Sequence, residues 1–300
     1  MTAMRHAASR VDFRGPEEPA RKRDTVGDVR QLALEWPVRA FFGAVLAAIA
    51  IAAIFAGRFY FASFLALVGL AASREWHRLV SGRRYALETC ITAGSIAAAL
   101  AAVVVAPHAF WPICVLAAGS LLAAGVNFRR GMSAVWSGSG AIYLGVPGLC
   151  LTALRMDTVR GSWVLIGLFI TIWAADTGAF ICGRFLGGPK FVPALSPNKT
   201  WSGIAGGIVL PAASLALYVA LLGGNAWKAA LLGAVLAAAG HTGDLFESWV
   251  KRRVGRKSSG SLIPGHGGVL DRIDSTLFVA PLAAALVFVF GLDLLFGAHP

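Results

Sequence analysis

A helix needs about 20 consecutive apolar residues to cross the hydrocarbon of a bilayer, which is about 30 Å thick. Runs of that kind recur through this chain from Val38 onward, at approximately 38–57, 58–73, 86–106, 109–127, 132–154, 162–183, 203–222, 226–249 and 275–295. With 57% hydrophobic and only 14% charged residues the composition excludes a soluble domain. Backbone polar groups in lipid have to be satisfied within their own segment, so such runs fold as helices. The expectation is an all-α, polytopic membrane protein of about nine spans. Cys90, Cys114, Cys150 and Cys182 are widely separated within apolar stretches, which gives neither a metal-ligand spacing nor a disulfide framework.

The distribution of Lys and Arg tests the span count. Placing the N-terminus inside puts 23 of the 27 on the inner face, leaving Arg58, Arg155, Arg160 and Lys228 outside. The predicted orientation is therefore N-terminus cytoplasmic and C-terminus outside, and the net charge of +12 needs no nucleic-acid partner. Residues 1–37 are basic, polar and interrupted by Gly15, Pro16 and Pro19, the composition of a disordered cytoplasmic tail. Residues 38–154 form an N-terminal set of transmembrane helices and 155–300 a C-terminal set that carries the chemistry. No repeat period is visible.

Polar residues concentrate in that second set. Asp244, Glu247, Ser248 and Lys251 are spaced i, i+3, i+4 and i+7, which places them on one face of a helix. A basic run, Lys251 to Lys257, leads to Pro264-Gly265-His266-Gly267-Gly268 and then Asp271, Arg272 and Asp274. Glycines let backbone N–H groups approach an anion, and the positive end of the helix starting near Asp271 points to the same place. Asp271 and Asp274 brought beside Asp244 present hard oxygen ligands to a divalent cation such as Mg²⁺, with Lys and Arg neutralising phosphate. Asp176, in DTGAF at the end of the sixth run, costs too much facing lipid and is expected to face a wet cavity. Ser196-Pro197-Asn198-Lys199-Thr200 reads as a turn whose lysine is either an inside anchor or a phosphate ligand. His241 reads as a packing residue, and Glu75 and Trp76 as interfacial anchors after the second run.

These motifs resemble the signature of the phosphatidate cytidylyltransferases, also called CDP-diacylglycerol synthases. The matching residues are Ser248-Trp249-Val250-Lys251-Arg252, Lys257, Pro264 through Gly268, Asp271-Arg272 and Asp274, with GDLFES, DTGAF and SPNKT upstream. The resemblance covers about a third of the chain, from Asp176 to Ser275. It implies a multi-pass enzyme of a bacterial-type inner membrane, its active site facing the cytoplasm, that joins CTP to phosphatidic acid with Mg²⁺ and forms a homodimer. It further implies that Asp244, Asp271 and Asp274 handle metal and pyrophosphate with Lys251 as a catalytic partner. The substrate-binding set would be Asp176, Ser196, Asn198, Lys199, Arg252, Lys257, Gly265, His266, Gly267, Gly268 and Arg272. Two positions depart from the family pattern, Ser202 and Ser258, where it carries Glu and Asp. They keep open a non-catalytic or altered-specificity relative. Asp176 and Asp244 as intramembrane ion ligands keep open an ion-coupled transporter.

Overall fold

A computed structural model of the chain describes residues 43–81, 87–106, 110–130, 133–157, 160–256, 258–260 and 267–291. The tail expected over 1–37, and the candidate site residues Lys257, Gly265 and His266, lie outside them. The described residues form helices α1 (Gly43–Ala56), α2 (Arg58–Ser81), α3 (Leu87–Val105), α4 (Trp111–Arg129), α5 (Ala134–Asp157) and α6 (Gly161–Phe185). A hairpin follows, β1 (Lys190–Val192) with β2 (Ser196–Thr200), and then α7 (Trp201–Leu221), α8 (Ala226–Arg253) and α9 (Leu270–Phe290).

Seven of these helices, α3 to α9, are long and apolar enough to cross a membrane. The described part of α1 is shorter. The second apolar run, expected to end at 73, continues as helix to Ser81 and includes Arg74, Glu75, His77 and Arg78. It is too polar at that end to count by hydropathy alone. The all-α expectation holds apart from the hairpin. Ser196–Thr200, expected as a turn, pairs antiparallel with β1 through Val192↔Ser196 and Lys190↔Thr200. A two-stranded ribbon consists of edges alone, which is where a strand tolerates a proline such as Pro197.

Local chemistry sets the boundaries. Gly57, with φ of 116°, breaks α1 from α2 in a conformation that suits glycine. The Thr200 hydroxyl caps α7 by accepting from Gly203 N at 3.1 Å, and the Asn225 side chain caps α8 through Lys228 N at 3.0 Å. Gly291 ends α9 in the left-handed region.

Two groups of helices pack side by side. In the first, α2 to α5 surround one another; in the second, α6 packs on α7, α7 on α8 and α8 on α9. The seam between them is formed by α5 and α2 against α9 and by α5 against α6. Small residues set the approach, as is common where helices associate in lipid. A Cβ on Gly178 of α6 would collide with the Gly206 carbonyl of α7, and one on Gly243 of α8 would lie 2.5 Å from the Asp274 carbonyl of α9. Close α6–α7 and α8–α9 contact is what brings the acids of α6, α8 and α9 within range of each other.

Candidate active site

Alternating helix direction gathers five pieces of chain at one end of the bundle. They are the last turns of α6, the hairpin, the start of α7, the end of α8 and the start of α9. Lys199 of β2 is ion-paired with Asp244 of α8. Asp176 of α6 lies within Coulombic reach of Asp244, Arg272 and Lys199. Asp274 of α9 lies within reach of Asp244, Asp176 and Lys251. Residues nearly 100 positions apart in the chain thus form one mixed-charge group.

The second group joins α8 to α9. Lys251 Nζ donates to Asp271 Oδ1 at 2.9 Å and stands 3.2 Å from Glu247 Oε1, whose side chain is 1% exposed. Asp271 also accepts from Gly268 N at 3.0 Å and from Ser259 N at 3.3 Å, so it reaches back over the start of its own helix. Gly268 N–H is therefore engaged by Asp271 and does not face the cleft. Gly267 has φ of 82°, and a Cβ there would lie 2.9 Å from Asp271 Oδ2. Glycine at this position is required by both backbone and packing.

Between hairpin and α8 opens a cleft of about 330 Å³ lined by Ser196, Pro197, Asn198, Ser248, Lys251 and Arg252. That is a volume on the scale of ligand sites, ~300–1,000 Å³. Arg252 Nε donates to the Leu195 carbonyl at 3.3 Å and ties the two walls together. The helical face expected from the spacing of α8 is divided in three. Asp244 turns to the hairpin and Glu247 is buried near α9, while Ser248 and Lys251 line the cleft. His241 packs on Gly207 of α7, where a Cβ would meet its ring.

Ser202, one of the two departures from the pattern, has a structural job here. Its hydroxyl bonds the Gly187 carbonyl and lies 3.0 Å from Thr200 Oγ1, closing the base of the hairpin. Ser258 is exposed. Among the described residues no three His, Cys, Asp or Glu side chains sit close enough together to hold one ion by themselves. The donor set still suits Mg²⁺, which takes one or two protein carboxylates and completes its shell with water and substrate phosphate.

Three residues of this end were missed by sequence reasoning. Glu75 of α2, read as an interfacial anchor, is 4% exposed and accepts from Leu270 N at 2.8 Å and from Ser259 Oγ at 3.3 Å. Trp76, read likewise, is 1% exposed and donates from Nε1 to the Trp136 carbonyl at 3.0 Å. Hydropathy made their helix end look like a membrane edge; only the long-range fold shows that α5 and α9 cover it. Tyr143 of α5 lies within Coulombic reach of Glu247 and Asp274, its ring 5.4 Å from Phe246. A lone tyrosine in an apolar run carries no signal of that.

A bundle of membrane-spanning helices, closed at one end by paired carboxylates and cations around a polar cleft, defines an integral membrane protein equipped to handle phosphorylated ligands. The chain belongs to the cytidylyltransferase family, whose sequence profile matches residues 37–290. It is 37% identical over 232 residues to the phosphatidate cytidylyltransferase of Brucella suis biovar 1 (strain 1330), covering 77% of this chain and 84% of that one. The phosphatidate cytidylyltransferase of Staphylococcus haemolyticus (strain JCSC1435) is 39% identical over 158 residues, 52% of this chain and 60% of the relative.

Proposed function

We propose that the protein condenses CTP with phosphatidic acid to give CDP-diacylglycerol and pyrophosphate. Family membership supports this reading, and the observation that carries it is the Lys251–Asp271 pair at 2.9 Å, joining α8 to α9 at the edge of the cleft. A phosphate oxygen of the lipid attacks the α-phosphorus of CTP, and the bond to the pyrophosphate oxygen breaks. Both reactants are anions, so the protein's work is chiefly positioning and charge neutralisation. Lys251 and Arg252, with Ser196 and Asn198 opposite, receive the CTP phosphates in the cleft. Lys199 and Arg272 balance the acids around Asp176 and Asp244. Asp244 and Asp274 would hold Mg²⁺, which supplies positive charge to nucleotide phosphate oxygens when bound, while Asp271, expected as a third ligand, is engaged by Lys251, Gly268 and Ser259.

In the same reading the site faces the cytoplasm, a reading supported by the inner-face excess of Lys and Arg, and all nine helices cross or enter the membrane. The protein is a homodimer, which light scattering in detergent tests. The reaction itself is tested by incubating membranes that contain the expressed protein with labelled CTP, phosphatidic acid and Mg²⁺. A CDP-lipid product is expected; a well-expressed sample that forms none refutes the assignment.

A further inference from the structure

Three consecutive residues at the end of α2 are buried, and each is held by a different part of the fold. Glu75 bonds the start of α9 and Ser259, Trp76 bonds α5 through the Trp136 carbonyl, and His77 Nε2 lies 3.0 Å from Thr92 Oγ1 of α3. Three successive helical positions cover about 200° of arc, so this end of α2 is enclosed by protein on most of its circumference. It is a fixed point within the bundle, unlike the interfacial helix end that its flanking Arg74 and Arg78 suggest.

From that point the Glu75 carboxyl reaches the strands of chain around Asp271. Its Oε2 accepts from Leu270 N, one residue before Asp271, and from the Ser259 hydroxyl. The Ser259 N–H in turn donates to Asp271, so one serine is gripped by both acids. The carboxyl also leaves no room for a side chain at Gly260 or Gly268. A Cβ on Gly260 would find Glu75 atoms as its three nearest neighbours, at 2.5, 2.8 and 3.2 Å, and a Cβ on Gly268 would collide with Glu75 and Ser259. Among the described residues Oε1 has no hydrogen-bond partner. A surface anchor does none of these things.

We propose that Glu75 is a positioning residue for cytidylyl transfer: anchored on α2, it holds Ser259, Gly260 and the first turn of α9 so that Asp271 and Lys251 meet at the cleft. This rests on the function proposed above. Glu75 itself lies behind Asp271 and acts through it.

The test is kinetics of the full chain in detergent with added lipid, varying CTP and phosphatidic acid, for wild type, Glu75→Ala, Glu75→Gln, Gly260→Ala and the double variant Glu75→Ala/Gly260→Ala. Glu75→Ala lowers kcat about 100-fold, the cost of a misplacement of roughly 1 Å at a reacting group, and moves KM for CTP far less. Glu75→Gln keeps an acceptor for Leu270 N–H and recovers most of the rate. Gly260→Ala displaces the carboxyl and reproduces the loss, while the double variant is no worse than Glu75→Ala alone, since the vacated space takes the methyl. A lowered thermal midpoint with undiminished kcat per folded molecule overturns positioning in favour of packing alone. Losses that simply multiply in the double variant overturn the clamp. Failure of the assigned reaction shows separately, as a wild-type protein without product, and the coupling between positions 75 and 260 is then still scored from thermal midpoints.

Discussion

Replacing Lys251 by Met removes an ammonium group shared by Glu247 and Asp271. The two contacts, at 3.2 and 2.9 Å, involve side chains exposed by only 1% and 14%. At an effective dielectric of about 20, each pair carries roughly 5 kcal/mol of attraction before desolvation is subtracted. Removing one partner of such a buried set costs up to about 3–5 kcal/mol, and less where the remaining carboxyl takes up a proton. Asp271 retains two N–H donors from Gly268 and Ser259, whereas Glu247 retains no hydrogen-bond partner among the described residues. The main penalty therefore falls on Glu247. The expected result is a markedly lower apparent thermal midpoint for Lys251→Met, measured at fixed heating rate in one detergent, together with loss of CDP-lipid synthesis. Adding Glu247→Gln replaces the orphaned carboxyl with a neutral amide of the same shape and recovers part of the midpoint, but not the activity, because the cleft still lacks its cation. If Lys251→Met melts with the wild type, or if the double variant melts no higher than the single, the reasoning about the buried pair is refuted.

Asp271→Asn removes the negative charge and one of the two acceptor oxygens that serve Lys251 and two backbone N–H groups, and turnover is expected to fall below detection while the protein still extracts and elutes as wild type; near-normal turnover would take Asp271 out of the site. Gly178→Val puts a branched side chain against the Gly206 carbonyl, so α6 and α7 separate and both thermal midpoint and activity drop. A normal midpoint there would show that the helices can part without consequence. Chelation with EDTA abolishes product formation and Mg²⁺ restores it, whereas activity that survives exhaustive chelation excludes a divalent cation from the reaction.

The second set of helices was readable because its chemistry is written in local spacing. PGHGG followed by Asp271, Arg272 and Asp274, and the run from Asp244 to Lys251, mark a candidate for phosphate and metal chemistry on a helix end without any fold. Apolar run length likewise located most helices to within a few residues, the exception being α2, which runs to Ser81, well past the expected 73. The partners were not readable. That Lys199 pairs with Asp244 depends on a hairpin whose second strand reads as a turn in sequence, because five residues containing a proline and an asparagine carry a stronger turn signal than strand signal. Glu75 was misread for a different reason: hydropathy reports which residues dislike lipid, and it cannot distinguish burial in protein from contact with headgroups.

The amino-acid order alone determined that this chain lives in a bilayer, which of its stretches are helical, and that its carboxylates and cations gather beside a glycine-rich stretch, since length, hydropathy and residue chemistry are local properties. The tertiary structure alone decided which carboxylate meets which cation, that Gly268 serves Asp271, and that an acid from α2 stands behind the site. Those pairings depend on helices packing across 195 residues of chain, as between Glu75 and Leu270, and side-chain contact at that separation is set by three-dimensional packing that no local pattern encodes.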